Sequence, residues 1–152
     1  MNYVSVIFWA REIELNIQKS VLVSIYWVVD VYIGTCLIIN QTFRHHPKLF
    51  RAGTEKDELD LKHAWEFLGC TGNVEIKRDL NKAQMIQALK SFRDNLKYSN
   101  PDYCVICILG HGNLNKRKRR DEVMDANLEM VSMNKIKNMF VDGRHRLVNR
   151  RR

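Results

Sequence analysis

The sequence predicts an α/β sandwich whose central sheet is mostly parallel. Nearly continuous apolar runs at 35–40 and 103–109 are typical of strands buried on both faces, and a further strand is predicted at 74–80. Between these strands lie segments with apolar side chains at the spacing of an amphipathic helix. Strands that alternate with helices form parallel sheets, because each helix returns the chain to the edge where the next strand starts.

The composition agrees with one packed domain of modest size. The chain has 152 residues, of which 45% are apolar, and this apolar share excludes a fully disordered chain. Only 2 prolines and 7 glycines are present, which excludes a collagen-like or linker-rich architecture.

The first helix is predicted to begin at Thr54, because a capping-box-like pair places the carboxylate of Asp57 three residues after that hydroxyl. Gly69 stands where this helix is expected to stop. Its apolar stripe fits all four positions of the helical template and consists of Leu61, Ala64, Trp65 and Leu68.

The second helix has a similar signature, since Asn81 and Gln84 form a capping pair and Asn100-Pro101 ends the helix. After the strand at 103–109 we expect a polar loop to residue 127, a short strand at 128–131 and a third helix. The apolar positions of the second helix are Met85, Ala88, Leu89, Phe92 and Leu96, and those of the third are Met133, Ile136 and Phe140.

Residues 1–33 form an apolar extension that is left unassigned. The apolar stretch at 21–39 has nearly the length of a membrane span, but Asp30 within it costs about 2.5–3.5 kcal/mol on insertion. Its many β-branched residues favour strands. We therefore expect soluble strands or an irregular extension and no membrane partner, with a membrane or targeting element as the alternative.

The net charge of +8 is concentrated in two segments. Residues 116–120 hold five of the 25 basic side chains, and a basic tail at 144–152 holds another five. The rest of the chain has 15 basic and 17 acidic side chains, so the body is near neutral and nucleic acid is not the expected partner. A basic nucleic-acid-binding or targeting module at these two segments remains an alternative.

The four cysteines lack the density and spacing of a disulfide scaffold, so we expect reduced thiols and a cytoplasmic protein. Cys104 and Cys107 would point to opposite faces of a strand, so no metal site is expected. No glycine-rich phosphate motif precedes a helix, and no cofactor is expected. The other two cysteines are Cys36 and Cys70.

Chemistry-bearing side chains follow the predicted strands at their carboxyl ends, where ligands gather in such sheets. A histidine between two glycines suits general acid-base catalysis, and the glycines let a substrate approach and offer amides to an oxyanion. The alternative is a tight turn with an incidental histidine. The candidates are His45, His46 and Arg51 after the first strand, Asp79 at the end of the second, and His111 after the third.

Five segments carry a family resemblance. They are GTCLIINQTF, Arg51-Ala-Gly-Thr54 with Asp57, LGC, RDLNKAQMIQALKSF, and the apolar strand that leads into GHG. In this order and spacing they resemble the large-subunit region of the caspase family. The resemblance covers residues 34–143, which are therefore assigned to a partial caspase-like domain. It implies an incomplete three-layer α/β sandwich.

Caspases are cysteine endopeptidases of apoptosis that cut after aspartate, and the resemblance implies three site residues. His111 aligns with the catalytic histidine, which is the general base and acid. Gly112 aligns with the glycine whose amide helps to form the oxyanion hole. Arg51 aligns with a basic residue that holds the substrate aspartate, a role that suits a guanidinium because it binds a carboxylate through two hydrogen bonds.

Two departures from the family pattern bear on activity. Gly110 stands where the family usually has serine. The nucleophile motif QAC[RQG]G, expected about 50 residues after His111, is absent, and no cysteine follows Cys107. The sequence therefore resembles a truncated caspase without a nucleophile, and we expect it to be inactive as this chain.

Two partner hypotheses follow from the resemblance. In one, the chain is a protease fragment that acts on aspartate-containing peptides when another chain completes it. In the other, it is a non-catalytic regulator or decoy that binds a full-length caspase, with the third strand left as an open apolar edge. Such an edge would also make the isolated chain poorly stable and prone to associate. Asp125, followed by Ala126, is a candidate cleavage site for an active caspase.

Overall fold

The computed structural model describes residues 2–10, 33–70, 73–115 and 120–140. The predictions for the tail at 144–152, for most of the basic segment at 116–120 and for residues 11–32 fall outside the described residues. Within the described ranges the elements follow one another as β1 (Asn2–Ala10), β2 (Gly34–Asn40), α1 (Thr54–Trp65), β3 (Val74–Arg78), α2 (Lys82–Ser99), β4 (Tyr103–Asn115), β5 (Arg120–Met124), β6 (Met130–Ser132) and α3 (Met133–Asn138). A π-helical turn over Glu66–Cys70 continues α1.

The centre of the sheet consists of three parallel strands in the order β3-β2-β4. Along its whole length β2 pairs with residues 103–109 of β4, and residues 36–40 of β2 pair with β3. Parallel neighbours require crossover connections, which α1 and α2 provide. The predicted α/β fold is confirmed, and antiparallel strands extend it on the other side of β4.

Helices cover both faces of the parallel strands, which gives the expected three layers. Side chains alternate between the faces along β2 and β4, and both faces are buried, which explains why these strands are continuous apolar runs. The face that packs against α2 and α3 includes Leu37, Ile39, Cys104, Ile106 and Ile108. The opposite face, against α1 and the π-helical turn, includes Cys36, Ile38, Val105, Cys107 and Leu109.

The edge of β4 that was predicted to be open is paired with another strand. Strand β1 runs antiparallel to β4, from Asn2 opposite His111 to Ala10 opposite Tyr103. Residues 2–10 therefore continue the sheet and provide backbone partners for β4. The predicted open edge of β4 is wrong for this reason, whereas the tendency of the isolated chain to associate stays a prediction.

The apolar stretch at 21–39 lies partly in the described residues. Its last part belongs to β2, as the preference of β-branched residues for strands predicts. Among the described helices, none has the length and hydropathy needed to cross a membrane.

Helix α1 begins at Thr54 as predicted, but the predicted capping box is absent. Gly53 precedes the helix in a left-handed conformation with φ 80°, and no side chain caps the first turn. The hydroxyl of Thr54 instead donates to Oδ1 of Asn40 at 2.7 Å. Because Thr54 and Glu58 turn toward the end of β2, the buried face is shifted from the predicted stripe. Two members of that stripe, Ala64 and Leu68, are exposed.

Helix α2 matches its prediction closely. The side chain of Asn81 accepts from the Gln84 amide at 2.9 Å, and the side chain of Gln84 accepts from the Asn81 amide at 3.0 Å. Asn100 ends the helix in a left-handed conformation with φ 45°. These determinants are local in the sequence, which explains why the sequence pattern was sufficient to predict both ends of the helix. The buried stripe contains Met85, Leu89 and Phe92.

Strand β4 continues past the predicted end and contains Gly110, His111 and Gly112, so these residues do not form a tight turn. From residue 112 onward β4 leaves the parallel strands and pairs antiparallel with β5, which lies in the segment predicted as loop. Strand β6 then pairs with β5. The tight-turn alternative is wrong because β5 provides a partner that keeps the chain extended.

Asp125 is fully buried, so the expectation of an exposed cleavage site is wrong. Its carboxylate accepts from the backbone amides of Lys82, Asn127 and Glu129 at 2.6, 2.9 and 2.7 Å. The side chain therefore ties the turn between β5 and β6 to the first residue of α2. In the folded chain this aspartate is a structural residue and is not presented to a protease.

Candidate active site

The chain after β2 folds back over the carboxyl end of β4. The amide of Arg51 donates to the carbonyl oxygen of Thr42 at 3.1 Å, which closes a loop over 43–50. A turn within this loop is made by the Leu49 amide, which donates to the carbonyl oxygen of His46 at 2.8 Å. The closed loop brings the backbone of Leu49 beside the end of β4.

His111 lies on β4 at the point where the strand leaves the parallel sheet. Its Nε2 atom is 2.6 Å from the carbonyl oxygen of Leu49. A carbonyl oxygen only accepts, so this contact requires the proton on Nε2 and leaves the lone pair of the neutral ring on Nδ1. The ring of Phe43 packs against the imidazole with its centroid 4.9 Å away. The histidine is thus held in one tautomer and one orientation.

The two glycines beside His111 differ in their surroundings. Gly112 is half-buried and stands opposite Val123 of β5. A Cβ added at Gly110 would lie 3.4 Å from Cγ2 of Val123 and 3.5 Å from Cβ of Gln41, which are ordinary contact distances. The fold therefore has room for a Cβ atom at this position.

Arg51 is buried at the carboxyl end of β2, with 4% of its surface exposed. Its Nη1 donates to Thr54 Oγ1 at 2.8 Å, to Asn40 Oδ1 at 3.1 Å and to the carbonyl oxygen of Gln41 at 3.3 Å. Its buried Nε has no hydrogen-bond partner among the described residues. One edge of the guanidinium is therefore anchored, while Nε retains a donor that a carboxylate could use.

The charge of Arg51 is only loosely balanced. Its Nη2 lies 3.8 Å from Oδ2 of Asp57, whose side chain is more than half exposed. Burial lowers the pKa of Arg51 from its usual value, and the nearby charge of Asp57 opposes that shift. A guanidinium remains protonated in proteins, so Arg51 is a buried cation suited to binding an anion.

The structure adds two polar residues to this site that sequence reasoning missed. Asn40 and Glu58 are both buried, and hydrogen bonds connect Glu58 to Asn40 and Asn40 to Arg51. A signal was present, because an asparagine ends an otherwise apolar strand and a glutamate occupies the buried side of α1. Neither feature predicts contact without the tertiary structure.

The other candidates lie apart from this geometry. Asp79 accepts from the amide and the hydroxyl of Thr42 at 2.6 to 2.9 Å, so it holds the ends of β2 and β3 together. His45 is exposed and His46 is half-buried in the loop. Two of the five candidates at the strand ends, Arg51 and His111, are connected by the loop after β2. Arg51 closes this loop, and the backbone of Leu49 within it contacts His111.

All four cysteines of the chain lie in described parts of the structure, as free and buried thiols. Cys107 is four residues before His111 on the same strand, which separates them by roughly 13 Å at the rise of a β-strand. Cys36 pairs in register with Val105, even farther along the sheet. Cys104 and Cys107 lie on opposite faces, as predicted.

The environments of three of the thiols keep them protonated, whereas a hydrogen bond with Cys36 lowers the pKa of Cys107 and burial opposes that shift. Burial raises the pKa of Cys104 from 9.0 to about 12. Burial also raises the pKa of Cys70, whose Sγ lies 3.7 Å from the hydroxyl of Tyr103. A hydrogen bond with Cys107, together with burial, raises the pKa of Cys36. Buried thiols whose pKa is raised in this way are structural rather than nucleophilic.

Comparison with known proteins identifies the family to which this fold and sequence belong. A family model described as "Caspase domain" matches residues 33–151, most of the chain. Human caspase-10 is 32% identical over 99 residues, which are 65% of this chain and 18% of that protein. The crystal structure of the Drosophila initiator caspase Dronc superposes with a TM-score of 0.57 at 24% identity, covering 73% of this chain and 42% of that one.

The fold is thus that of the caspase-type α/β proteases. The chain belongs to the caspase family. It spans less than a fifth of the length of the curated relative that it matches.

Proposed function

We propose that the site carries the histidine, oxyanion and aspartate-binding functions of a cysteine endopeptidase, and that the 152-residue chain alone does not hydrolyse peptides. The observation that supports this most is the contact between Nε2 of His111 and the carbonyl oxygen of Leu49, because it leaves Nδ1 as the base. Free thiols accord with a reducing compartment, and a cytoplasmic location is part of the proposal.

The reaction requires a thiol other than the four that this sequence contains. Nδ1 of His111 takes the proton of that thiol, and the thiolate attacks the carbonyl carbon of the scissile peptide bond. The amide of Gly112 donates to the resulting oxyanion. The C–N bond then breaks, Nδ1 returns the proton to the leaving amine, and water hydrolyses the thioester. Arg51 binds the aspartate side chain that precedes the scissile bond.

The missing thiol is the basis for predicting inactivity. The cysteine nearest to His111 along β4 is roughly 13 Å away, well beyond hydrogen-bond reach. Whatever completes the site must therefore bring its thiol to Nδ1 of His111, the ring nitrogen that does not contact Leu49. A regulator that bound along β4 instead would have to displace β1.

Hydrolysis of an acyl-Asp fluorogenic peptide tests the inactivity. We expect no hydrolysis above background by the purified chain or by the His111→Ala variant. Hydrolysis that disappears in His111→Ala would overturn this part, because it would mean that a thiol of the chain reaches the imidazole.

Binding of a small carboxylate tests the aspartate pocket separately. We expect acetyl-aspartate methylamide to shift the Nε–H signal of Arg51 in NMR spectra, and acetyl-asparagine methylamide to leave it unchanged. Arg51→Lys should abolish this selectivity, because lysine cannot form the two parallel bonds. Arg44→Lys is the matched control, since Arg44 is exposed in the same loop and pairs with Glu55. Equal response to both compounds would contradict the pocket.

A further inference from the structure

A chain of polar side chains runs from the surface to the guanidinium of Arg51. Arg78 of β3 donates from Nε and Nη2 to the carboxylate of Glu58 at 2.9 and 2.6 Å. The same carboxylate accepts from Nδ2 of Asn40 at 3.0 Å. Oδ1 of Asn40 in turn accepts from Nη1 of Arg51 at 3.1 Å. Side chains from two strands, one helix and one loop thus form a connected set.

The amide of Asn40 has a single orientation that satisfies both neighbours. A carboxylate only accepts, so Nδ2 must face Glu58, and a guanidinium only donates, so Oδ1 must face Arg51. Thr54 supports the same orientation, because its hydroxyl donates to Oδ1 at 2.7 Å and its carbonyl oxygen accepts from Nδ2 at 3.3 Å. Asn40 therefore couples the position of Glu58 to that of Arg51.

Burial makes the carboxylate of Glu58 an effective anchor. Its side chain is 6% exposed, whereas that of Arg78 is 57% exposed. Hydrogen bonds to an ionised group are stronger than neutral ones, and removal from water strengthens them further. The paired charge of Arg78 compensates for burying the carboxylate. Glu58 is thus fixed at one place in the buried set, with Asn40 attached to it.

We propose that Glu58 is a positioning residue that orients the carboxylate-binding edge of Arg51 through Asn40. Through Asn40 it holds Nη1 of Arg51 in place, and Nε of the same guanidinium keeps a donor that has no partner among the described residues. The consequence for substrate binding rests on the proposed function of Arg51. The orientation of Arg51 itself can be measured independently of any ligand.

The test compares Glu58→Gln with Glu55→Gln. Both substitutions remove a carboxylate from α1, but Glu55 is exposed and pairs with Arg44 only at the surface. Oε2 of Glu58 accepts from Asn40 and from Nε of Arg78, and Oε1 accepts from Nη2 of Arg78, so a glutamine, which replaces one oxygen with an NH₂ donor, cannot make all three hydrogen bonds. We expect Glu58→Gln to shift the NMR signal of Arg51 Nε–H and to weaken binding of acetyl-aspartate methylamide about tenfold. Glu55→Gln should change neither, and Glu58→Asp should retain most of the binding.

The outcomes separate this inference from the proposed function. An unchanged Arg51 signal in folded Glu58→Gln overturns the positioning role, whatever the ligand does. If the wild-type chain does not bind the carboxylate, the aspartate pocket fails, while the Arg51 signal still decides the role of Glu58. A tenfold loss in Glu55→Gln as well would attribute the effect to general surface charge and would also overturn the inference.

A second variant covers the case in which Glu58→Gln does not fold. The double variant Glu58→Gln with Arg78→Gln removes both charges of the pair, so neither group is left without its ionic partner. Replacement of both partners costs less stability than removal of one. The same two readouts then apply, and an unchanged Arg51 signal in the double variant is again the contrary result.

Discussion

Nε2 of His111 and the carbonyl oxygen of Leu49 lie 2.6 Å apart, although 62 positions separate the two residues in the sequence. The contact joins the end of β4 to the loop that follows β2. It selects one tautomer of the imidazole, because the carbonyl oxygen can only accept. A backbone group therefore prepares the side chain for its proposed role as a base.

The tautomer of His111 can be measured directly. At a pH where the ring is neutral, we expect nitrogen NMR shifts that place the proton on Nε2 and the lone pair on Nδ1. His45 is the internal control, since it is exposed and its two tautomers should exchange. A proton on Nδ1 of His111 would contradict the contact with Leu49 and remove the base from the proposed site.

The four thiols should be inert in the folded chain. We expect a disulfide reagent at pH 8 to label none of them rapidly, and to label all four after addition of guanidinium chloride. The pKa of Cys104 rises from 9.0 to about 12 on folding, so the thiol form is the one that the fold stabilises. That contribution is complete below pH 9 and declines as the pH rises toward 12. Rapid labelling of a single thiol at pH 8 would show that the chain has a reactive cysteine.

Gly34→Ala should destabilise the chain. A Cβ at residue 34 would lie 2.5 Å from the hydroxyl oxygen of Tyr103, and nearer still to the ring carbons. We expect a loss of about 1–3 kcal/mol in the free energy of unfolding, measured with urea. In a Tyr103→Leu background the same substitution should cost less, because the smaller side chain removes the overlap. Equal losses in both backgrounds would mean that Tyr103 is not the cause.

Asp125→Ala should lower the free energy of unfolding more than a typical surface substitution does. It would leave three backbone amides without their acceptor, including that of the first residue of α2. We expect unfolding to become easier by at least about 2 kcal/mol. Asp60→Ala, at an exposed position of α1, is the control and should have little effect. A small loss for Asp125→Ala would imply that water replaces the carboxylate.

Gly110→Ser tests whether the departure from the family pattern matters for folding. The contacts of an added Cβ are ordinary, so we expect both Gly110→Ala and Gly110→Ser to fold with stabilities within about 1 kcal/mol of the wild-type chain. The serine variant should be the more stable of the two, because Oε1 of the neighbouring Gln41 is buried without a hydrogen-bond partner. The reverse order, measured by thermal unfolding, would contradict this explanation.

The part of the fold that depends on local pattern was predictable. The capping box at Asn81 and the apolar stripe of α2 are local determinants, and both are present in the structure. Strands β2 and β4 were recognisable because burial on both faces requires continuous apolar runs. Helix α1 was predicted less well, since its buried face starts with Thr54 and Glu58, whose partners come from β2.

The sequence by itself determined the α/β class and the alternation of parallel strands with helices, because both follow from the periodicity of apolar residues. It also determined the caspase family, because the family motifs occur in the expected order. Tertiary structure alone decided that β1 pairs with β4, that β4 continues through His111, and that Leu49, Asn40 and Glu58 contribute to the site. Each of these depends on backbone or side-chain groups that are distant in sequence. Such partners are selected by the packing of the whole sheet, and no local pattern specifies them.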